Sequence, residues 1–123
     1  MKYTEEHEWL RQDGDLFTVG VTEYAAEALG DVVFVELPEP GQDVSKGDEI
    51  VVVESVKAAS GIEAPFDGEI VDINAEVADN PALINDDPQG AAWLFRMKAK
   101  DGAAFDALLS EEDYQAFLRE SGR

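Results

Sequence analysis

The segment whose residues are best suited to chemistry is ESVKA, residues 54–58, which contains a single lysine. The chemistry that it would serve is covalent modification of the Lys57 amine. The three residues after the lysine, Ala58 to Ser60, are small, so the ammonium should stand clear of its neighbours and be accessible to a large enzyme. A lone surface lysine at a turn is usually only a solvated charge, and its spacing alone does not establish a modification site.

Lys57 is predicted to lie at the tip of a β-hairpin. The two flanking segments, Glu49–Ser55 and Ala58–Glu63, are predicted as strands. Val56 and Lys57 form the reversal between them, although no Asn-Gly or Pro-Gly pair marks the turn. The predicted hairpin therefore presents the lysine at its most accessible point.

Further strands are predicted on both sides of this hairpin. The Asp-Gly pair within Leu10–Leu16 indicates a second hairpin, which continues into a strand over Leu16–Val21. Val32–Leu37 is rich in β-branched and aromatic residues and is predicted as a buried strand, followed by a tight turn. Two more segments, 68–74 and Trp93–Lys100, have strand character.

Two short helical segments are predicted from their capping residues. Thr22 should cap a helix over Glu23–Leu29, and Gly30 stands where helices often end in a left-handed conformation. Asn80 is followed by a proline, which favours the first helical position, so one helical turn is predicted over Ala82–Asn85.

A longer helix is predicted at the C-terminus. Ser110 has the character of an N-cap, and Tyr114, Phe117 and Leu118 lie on one face at helical spacing, by which the helix should pack on the sheet. Because no low-complexity linker interrupts the chain, a single domain over residues 1–123 is predicted. Its class is mainly β, or α+β, with few helices.

Charge is the most unusual bulk property. The chain has 28 acidic residues against nine Lys and Arg, a formal net charge of −19, which argues against nucleic acid as a partner. Three explanations remain open: solubility, attraction of basic partners, and adaptation to a salt-rich host. With no cysteine, the chain has neither a disulfide nor a thiolate nucleophile, so any thiol chemistry must come from an added group.

An enzyme is not indicated. One histidine, no nucleophile motif and no phosphate-binding glycine loop offer little for catalysis, and the paired aspartates at 86–87 and 13–15 lack the spacing of a calcium loop. No apolar run is long enough to cross a bilayer, and the N-terminal residues lack the layout of a secretory signal or transit peptide. A mature, cytoplasmic, monomeric protein is expected.

ESVKA resembles the lipoylation site of the glycine cleavage system H-protein family. Other stretches share the likeness, which runs from about Tyr3 to Phe117: EEHEW near the start, GDVVFVELPEPG at 30–41, APFDGEIVDIN at 64–74, ADNPALIN at 78–85 and WLF at 93–95. The resemblance implies a lipoyl/biotinyl-type fold. This is a flattened β-barrel or sandwich of two sheets, with the modified lysine on a hairpin and short helices that include a C-terminal one.

The resemblance further implies a non-catalytic carrier. Lys57 would hold lipoic acid in amide linkage, within an attachment motif formed by Glu54, Ser55, Val56 and Ala58. The implied partners are glycine decarboxylase (P-protein), which loads an aminomethyl group, aminomethyltransferase (T-protein), dihydrolipoamide dehydrogenase (L-protein), and a lipoate ligase or lipoyl transferase. Two alternatives stay open: a lipoyl carrier or donor for a different multienzyme complex, and an acidic interaction module without a prosthetic group.

The resemblance also points to a pocket for the loaded arm. A cationic amine held against protein needs a carboxylate, and Glu8 is the candidate, although a solvent-exposed acid is an equal alternative. His7 is expected to be structural or hydrogen-bonded at the pocket rim. The chain departs from the family pattern at Gly61, where an acid is frequent, and at Ala28, where histidine occurs. These two departures leave docking of the arm open.

Overall fold

Two antiparallel sheets build the protein, as seen in a computed structural model that describes residues 1–120. The predicted domain, 1–123, therefore ends in three residues that lie outside the described part. The strands of the described part are β1 Lys2–Tyr3, β2 Glu8–Asp13, β3 Leu16–Val21, β4 Val32–Glu36, β5 Asp43–Val44, β6 Glu49–Ser55, β7 Ala59–Glu63, β8 Gly68–Ile73 and β9 Phe95–Ala99. Its helices are α1 Glu23–Leu29, α2 Ala75–Asp79, α3 Leu83–Asp86, α4 Ala103–Asp106 and α5 Glu111–Glu120.

The larger sheet has the strand order β1-β2-β3-β9-β8-β5, and the smaller sheet has the order β4-β6-β7. Alternating apolar residues from both sheets meet in one hydrophobic cluster. Val35, Val51 and Val53 enter it from the smaller sheet, and Val19 and Met97 enter it from the larger sheet. This shared core holds the β6–β7 hairpin against the rest of the molecule, because removing such surface from water contributes roughly 25 cal/mol per Å². The mainly β fold of two sheets with short helices, predicted from the sequence, is confirmed.

Local sequence signals account for the elements near the functional residues. Thr22 caps α1 as predicted, since its side chain accepts a hydrogen bond from the Ala25 N–H at 3.3 Å. Gly30 ends α1 at φ 75°, a conformation that favours glycine. At the other end of the chain, Ser110 Oγ accepts from the Asp113 N–H at 3.1 Å, so the predicted start of α5 is also confirmed.

The C-terminal helix packs as the sequence predicted. Tyr114 is buried and stacks on Tyr3, with ring centroids 4.8 Å apart, while Phe117 and Leu118 pack against the same cluster. Trp9 completes this second apolar cluster, which closes the end of the larger sheet. The helix thereby fixes the N-terminal strand that leads to Glu8 and His7.

One sequence prediction was wrong in detail, and two short helices were not predicted. Asn80 does not cap the following helical turn with its side chain: it ends α2, which was not predicted, and the next helix begins at Leu83. Asn80 still contributes a hydrogen bond at the start of the next helix, but through its backbone: its carbonyl accepts from the Leu83 N–H at 3.0 Å. α4, over Ala103–Asp106, was also not predicted. No helix in the described part is both long and apolar enough to cross a membrane.

β4 is not the wholly buried strand that its composition indicated. Val32 and Val35 are buried, whereas Val33 and Phe34 are exposed. The strand lies at the edge of the smaller sheet, and its pairing with β6 shifts register between Val32 and Phe34, which is a bulge that turns two consecutive side chains outward. The exposed pair therefore lies beside the part of β6 that leads to Lys57.

Candidate functional site

Lys57 lies at the tip of the β6–β7 hairpin, as predicted, in a turn that Ser55 closes. The Ser55 N–H donates to the Ala58 carbonyl at 2.8 Å. The Ser55 hydroxyl donates to the same carbonyl at 3.2 Å and accepts from the N–H groups of Lys57 and Ala58, each at 3.2 Å. The serine side chain thus stabilises a turn that lacks an Asn-Gly pair, because its hydroxyl can form hydrogen bonds with the backbone of the turn.

A second set of hydrogen bonds fixes this tip to the body of the protein. The Val56 N–H donates to the Asp31 carbonyl at 3.0 Å. Asn85 of α3 holds the residues on either side of Asp31, since its Nδ2 donates to the Gly30 carbonyl at 2.7 Å and its Oδ1 accepts from the Val32 N–H at 3.0 Å. The tip is therefore tied through the α1–β4 connection to a separate helix.

The side chain of Lys57 is exposed but lies along this connection. A Cβ added at Gly30 would lie 2.8 Å from Lys57 Cε and 3.5 Å from Nζ. Gly30 and Asp31 also line a shallow groove of about 270 Å³ whose other charged residues, Glu23, Glu27 and Asp86, are all acidic. The lysine side chain therefore lies beside a backbone segment that also borders this acidic groove.

Glu8 is a buried carboxyl group. Its side chain is 1% exposed, so the alternative of a solvent-exposed acid is wrong. Thr4 Oγ1 donates to Glu8 Oε1 at 3.2 Å, while Oε2 has no hydrogen-bond partner among the described residues. Burial raises the pKa of Glu8 to about 8, an effect that the hydrogen bond from Thr4 opposes and the nearby charges of Glu6 and Glu63 reinforce. An unpaired buried oxygen of this kind suits a cationic hydrogen-bond donor.

Glu8 and Lys57 do not lie together in the folded chain. Glu63, whose charge acts on Glu8, pairs with Glu49 at the end of the hairpin remote from the tip. Ala59 and Glu63 are four strand residues apart, about 13 Å at roughly 3.3 Å per residue. Lysine alone cannot connect the two ends, so a role for Glu8 requires the long arm that the resemblance implies.

His7 lies at the edge of this region and contacts residues of α1 and α5. Its Nδ1 lies 2.8 Å from the Tyr114 hydroxyl, and its ring packs against the rings of Tyr24 and Phe117. The backbone has a φ of 68°, which is unusual for a residue other than glycine, and the His7 carbonyl accepts from the Thr22 N–H at 3.0 Å. His7 thus connects the segment before Glu8 to α1 and α5.

The two departures from the family pattern have different surroundings. At Gly61, the carboxylate of Glu49 lies over the glycine, in the space that a side chain at position 61 would fill. An acid is therefore present at this part of the hairpin, although it comes from the neighbouring strand. Ala28 is an exposed residue of α1.

Two of the candidate residues have the chemistry that a covalently attached arm would need. Within residues 1–120, no group of three or more histidine, aspartate or glutamate side chains is arranged to hold a metal ion. The exposed Lys57 amine fits a covalently attached cofactor, and the buried Glu8 oxygen fits a cation at the end of such an arm.

Comparison with known proteins agrees with this geometry. The family model described as "Glycine cleavage H-protein" matches residues 1–121. The chain belongs to the glycine cleavage H-protein family. A family member from Acidiphilium cryptum (strain JF-5), "Glycine cleavage system H protein", is 54% identical over 117 residues, which cover 95% of this chain and 94% of the relative. Another from Carboxydothermus hydrogenoformans is 47% identical over 122 residues, covering 99% and 94%.

The fold of this H-protein family member is also shared with a solved relative. The crystal structure of a glycine cleavage system H protein from Mycobacterium marinum is 40% identical, with a TM-score of 0.84, and the match covers 99% of this chain and 96% of that one. The family and the fold predicted from ESVKA and the accompanying stretches are both confirmed. The chain is accordingly a carrier component of the glycine cleavage system and not one of its enzymes.

Sequence reasoning missed one residue that positions the tip. Asn85 had been assigned only to a helical turn, yet its amide joins Gly30 and Val32 across the fold. Its partners are 55 and 53 residues away, so no local pattern could identify them. The role of Ser55 as a turn residue could have been found, because serine commonly hydrogen-bonds to the backbone of tight turns.

Proposed function

We propose that the protein carries lipoic acid in amide linkage on Lys57. The observation that supports this proposal is the placement of the lysine: exposed, followed by small residues, and held at the tip of a hairpin by Ser55 and Asp31. The attachment motif would be Glu54 to Ala58. The lipoyl group, when bound, supplies the two sulfurs that a chain without cysteine lacks.

The carrier role follows from a rigid tip and a long arm. The tip stays folded while the arm visits several active sites, each at a high effective concentration. The proposed partners are the P-protein, which would load the aminomethyl group of glycine, the T-protein, which would receive it, and the L-protein, which would restore the disulfide. A lipoate ligase or lipoyl transferase would attach the arm.

We also propose that Glu8 holds the amine of the loaded arm. The buried Oε2 would accept a hydrogen bond from the ammonium, and Glu8 would then be ionised because a nearby positive charge lowers the pKa of a carboxyl group. Glu6 and Glu63 surround the same position with negative charge. His7, hydrogen-bonded to Tyr114, would position the Glu8 segment without contacting the arm.

Mass spectrometry tests the attachment. Incubation with a lipoylating enzyme should add one lipoyl group to the wild-type protein and none to Lys57→Arg, because arginine cannot form this amide. Lys46→Arg is the matched control and should be modified like the wild type, since Lys46 lies outside the hairpin tip. Modification of Lys57→Arg would overturn the assignment.

The lifetime of the loaded arm tests Glu8. Glu8→Gln keeps the shape of the side chain but removes its negative charge, so lipoylation should be unchanged while the aminomethyl group is lost faster. The control is Glu69→Gln, which alters an exposed acid of β8, three strands away from β2 in the same sheet. Equal half-lives for Glu8→Gln and the wild type would show that Glu8 does not hold the amine.

A further inference from the structure

Exposed apolar side chains are concentrated around Lys57. Within residues 1–120, the exposed large hydrophobic residues are Met1 and three others: Val33 at 57%, Phe34 at 47% and Val56 at 68%. We call Val33, Phe34 and Val56 the apolar platform. All three residues lie where β4 adjoins the hairpin tip. Apolar residues scattered singly over a surface would not cluster in this way.

The backbone structure positions the residues of the platform. Phe34 is opposite Glu54 in the β4–β6 pairing, and the Val56 N–H is bonded to the Asp31 carbonyl, so β4 and the tip are held side by side. The bulge at Val33 turns two successive side chains outward where a regular strand would expose one. The result is more apolar surface beside Lys57 than the strand pattern alone would give.

Acidic residues surround the platform. Asp31, Glu36 and Glu54 are exposed and lie next to its members along β4 and β6. Interfaces commonly have an apolar centre and a polar rim. The matching surface on a partner would therefore be apolar at its centre and positively charged at its edge, since complementary charges guide association.

The candidate partners differ in how close to the Lys57 backbone they must act. Once an arm is attached, its reactive end lies far from the backbone, so enzymes that act on it need not contact the residues beside Lys57. The enzyme that attaches the arm acts on Nζ itself and must approach within the length of a lysine side chain. That enzyme must therefore contact the platform.

We propose that the apolar platform is the docking surface for the enzyme that acylates Lys57 with lipoic acid, an enzyme whose active-site entrance is apolar with a cationic rim. The proposal rests on the function proposed above, because it requires that Lys57 be the attachment site. The platform would act through binding, and Lys57 would remain the group that reacts.

The step that this docking serves is an acyl transfer. The Lys57 amine attacks the carbonyl carbon of a lipoyl group activated as a mixed anhydride with a phosphate. A C–N bond forms, the bond from the carbonyl carbon to the phosphate oxygen breaks, and that oxygen leaves with the electron pair. The original ammonium gives up two protons to the solvent, one before the attack and one as the amide forms, and no oxidant or reductant is needed.

Threonine substitutions test the platform because threonine is polar but still favours strand structure. The combined variant Val33→Thr, Phe34→Thr and Val56→Thr should have a kcat/KM for lipoylation at least about tenfold below the wild type, mainly through a higher KM, as expected for loss of a central apolar contact. Val52→Thr is the matched control, because Val52 is half-buried farther from the tip on β6. It should be lipoylated at close to the wild-type rate.

The measurement uses a purified lipoate ligase, lipoate and a nucleoside triphosphate, with intact mass as the readout and melting curves to verify folding. If the triple variant is unfolded, the single variant Val56→Thr replaces it in the test, and its kcat/KM for lipoylation should be about threefold below that of the wild type. A wild-type rate in a folded variant would overturn the proposal. So would normal lipoylation with impaired aminomethyl loading, since the platform would then serve a later partner. Failure of wild-type Lys57 to be modified would instead remove the proposed function itself.

Discussion

The side chain of Lys57 passes so close to Gly30 that a Cβ at position 30 would lie 2.8 Å from Lys57 Cε. Gly30 also has a φ of 75° with a ψ of −154°, a region that is nearly restricted to glycine. The residue that ends α1 therefore serves two purposes, since it turns the chain into β4 and leaves room for the lysine. A larger residue at position 30 would strain this turn and displace the end of the lysine side chain.

Gly30→Ala should lower the free energy of unfolding by about 1–3 kcal/mol, mostly from backbone strain, because the end of a lysine side chain can move aside. Gly14→Ala is the control: its φ is 64°, and a Cβ there would meet no atom within 4 Å. It should cost about 1–2 kcal/mol. Urea unfolding of both variants makes the comparison, and a neutral Gly30→Ala would contradict the geometry described here.

Asn85 should control the order of the hairpin tip from a distance. Asn85→Ala removes two hydrogen bonds, to Gly30 and Val32, and should cost about 1–3 kcal/mol. Because Asp31 lies between those partners, the Val56 amide should exchange its hydrogen faster. Gln12→Ala, which removes an exposed amide contact to Gly14, should leave that exchange unchanged. Unaltered exchange at Val56 in Asn85→Ala would show that the tip is held without it.

Glu8 should make the unloaded protein less stable as the pH rises. Its pKa in the folded protein is about 8, above the ordinary value of 4.5, so its contribution to stability is complete below about pH 4.5 and is lost as the pH rises through 8. From pH 5 to 9, the unfolding free energy of the wild type should fall relative to that of Glu8→Gln, by on the order of a few kcal/mol.

Urea unfolding at several pH values gives this difference, and acids common to both proteins cancel in it. Glu69→Gln, which changes an exposed carboxylate, should run parallel to the wild type over the same range. Parallel curves for Glu8→Gln and the wild type would mean that Glu8 titrates like an ordinary surface acid, which would be inconsistent with its burial.

The sequence predicted the features that depend on short-range signals. The Asp-Gly pair predicted the β2–β3 hairpin, and Thr22 and Ser110 predicted the starts of α1 and α5. ESVKA, together with stretches such as EEHEW and VVFVELP, predicted the family. Capping and turn residues act on their immediate neighbours, so their effect can be seen in the sequence.

The features that the sequence did not predict depend on distant parts of the chain. The burial of Glu8 follows from packing that its polar neighbours Glu5, Glu6 and His7 do not indicate. Asn85 acts across more than fifty residues. The exposure of Phe34 follows from an edge position and a bulge, which composition cannot distinguish from burial, because β-branched and aromatic residues are typical of both.

The net charge of −19 is poorly compensated by ion pairs. Within the described residues, the ion pairs are Arg11–Asp13 at 3.2 Å and Arg96–Asp72 at 3.3 Å, and both are accessible to solvent and therefore weak. If salt adaptation selects this acidity, the melting temperature should rise from dilute buffer to molar potassium chloride, where the screening length is about 3 Å. A flat or falling melting temperature would exclude salt adaptation and leave solubility or attraction of basic partners.

The central claim is that Lys57 carries the arm that receives the aminomethyl group. The most direct test is the intact mass of the lipoylated protein, with its arm in the disulfide form, after incubation with glycine decarboxylase and glycine. The wild type should gain a single aminomethyl group on the lipoyl arm, and Lys57→Arg should gain nothing. The absence of this gain in fully lipoylated wild-type protein, or an equal gain in Lys57→Arg, would contradict the claim.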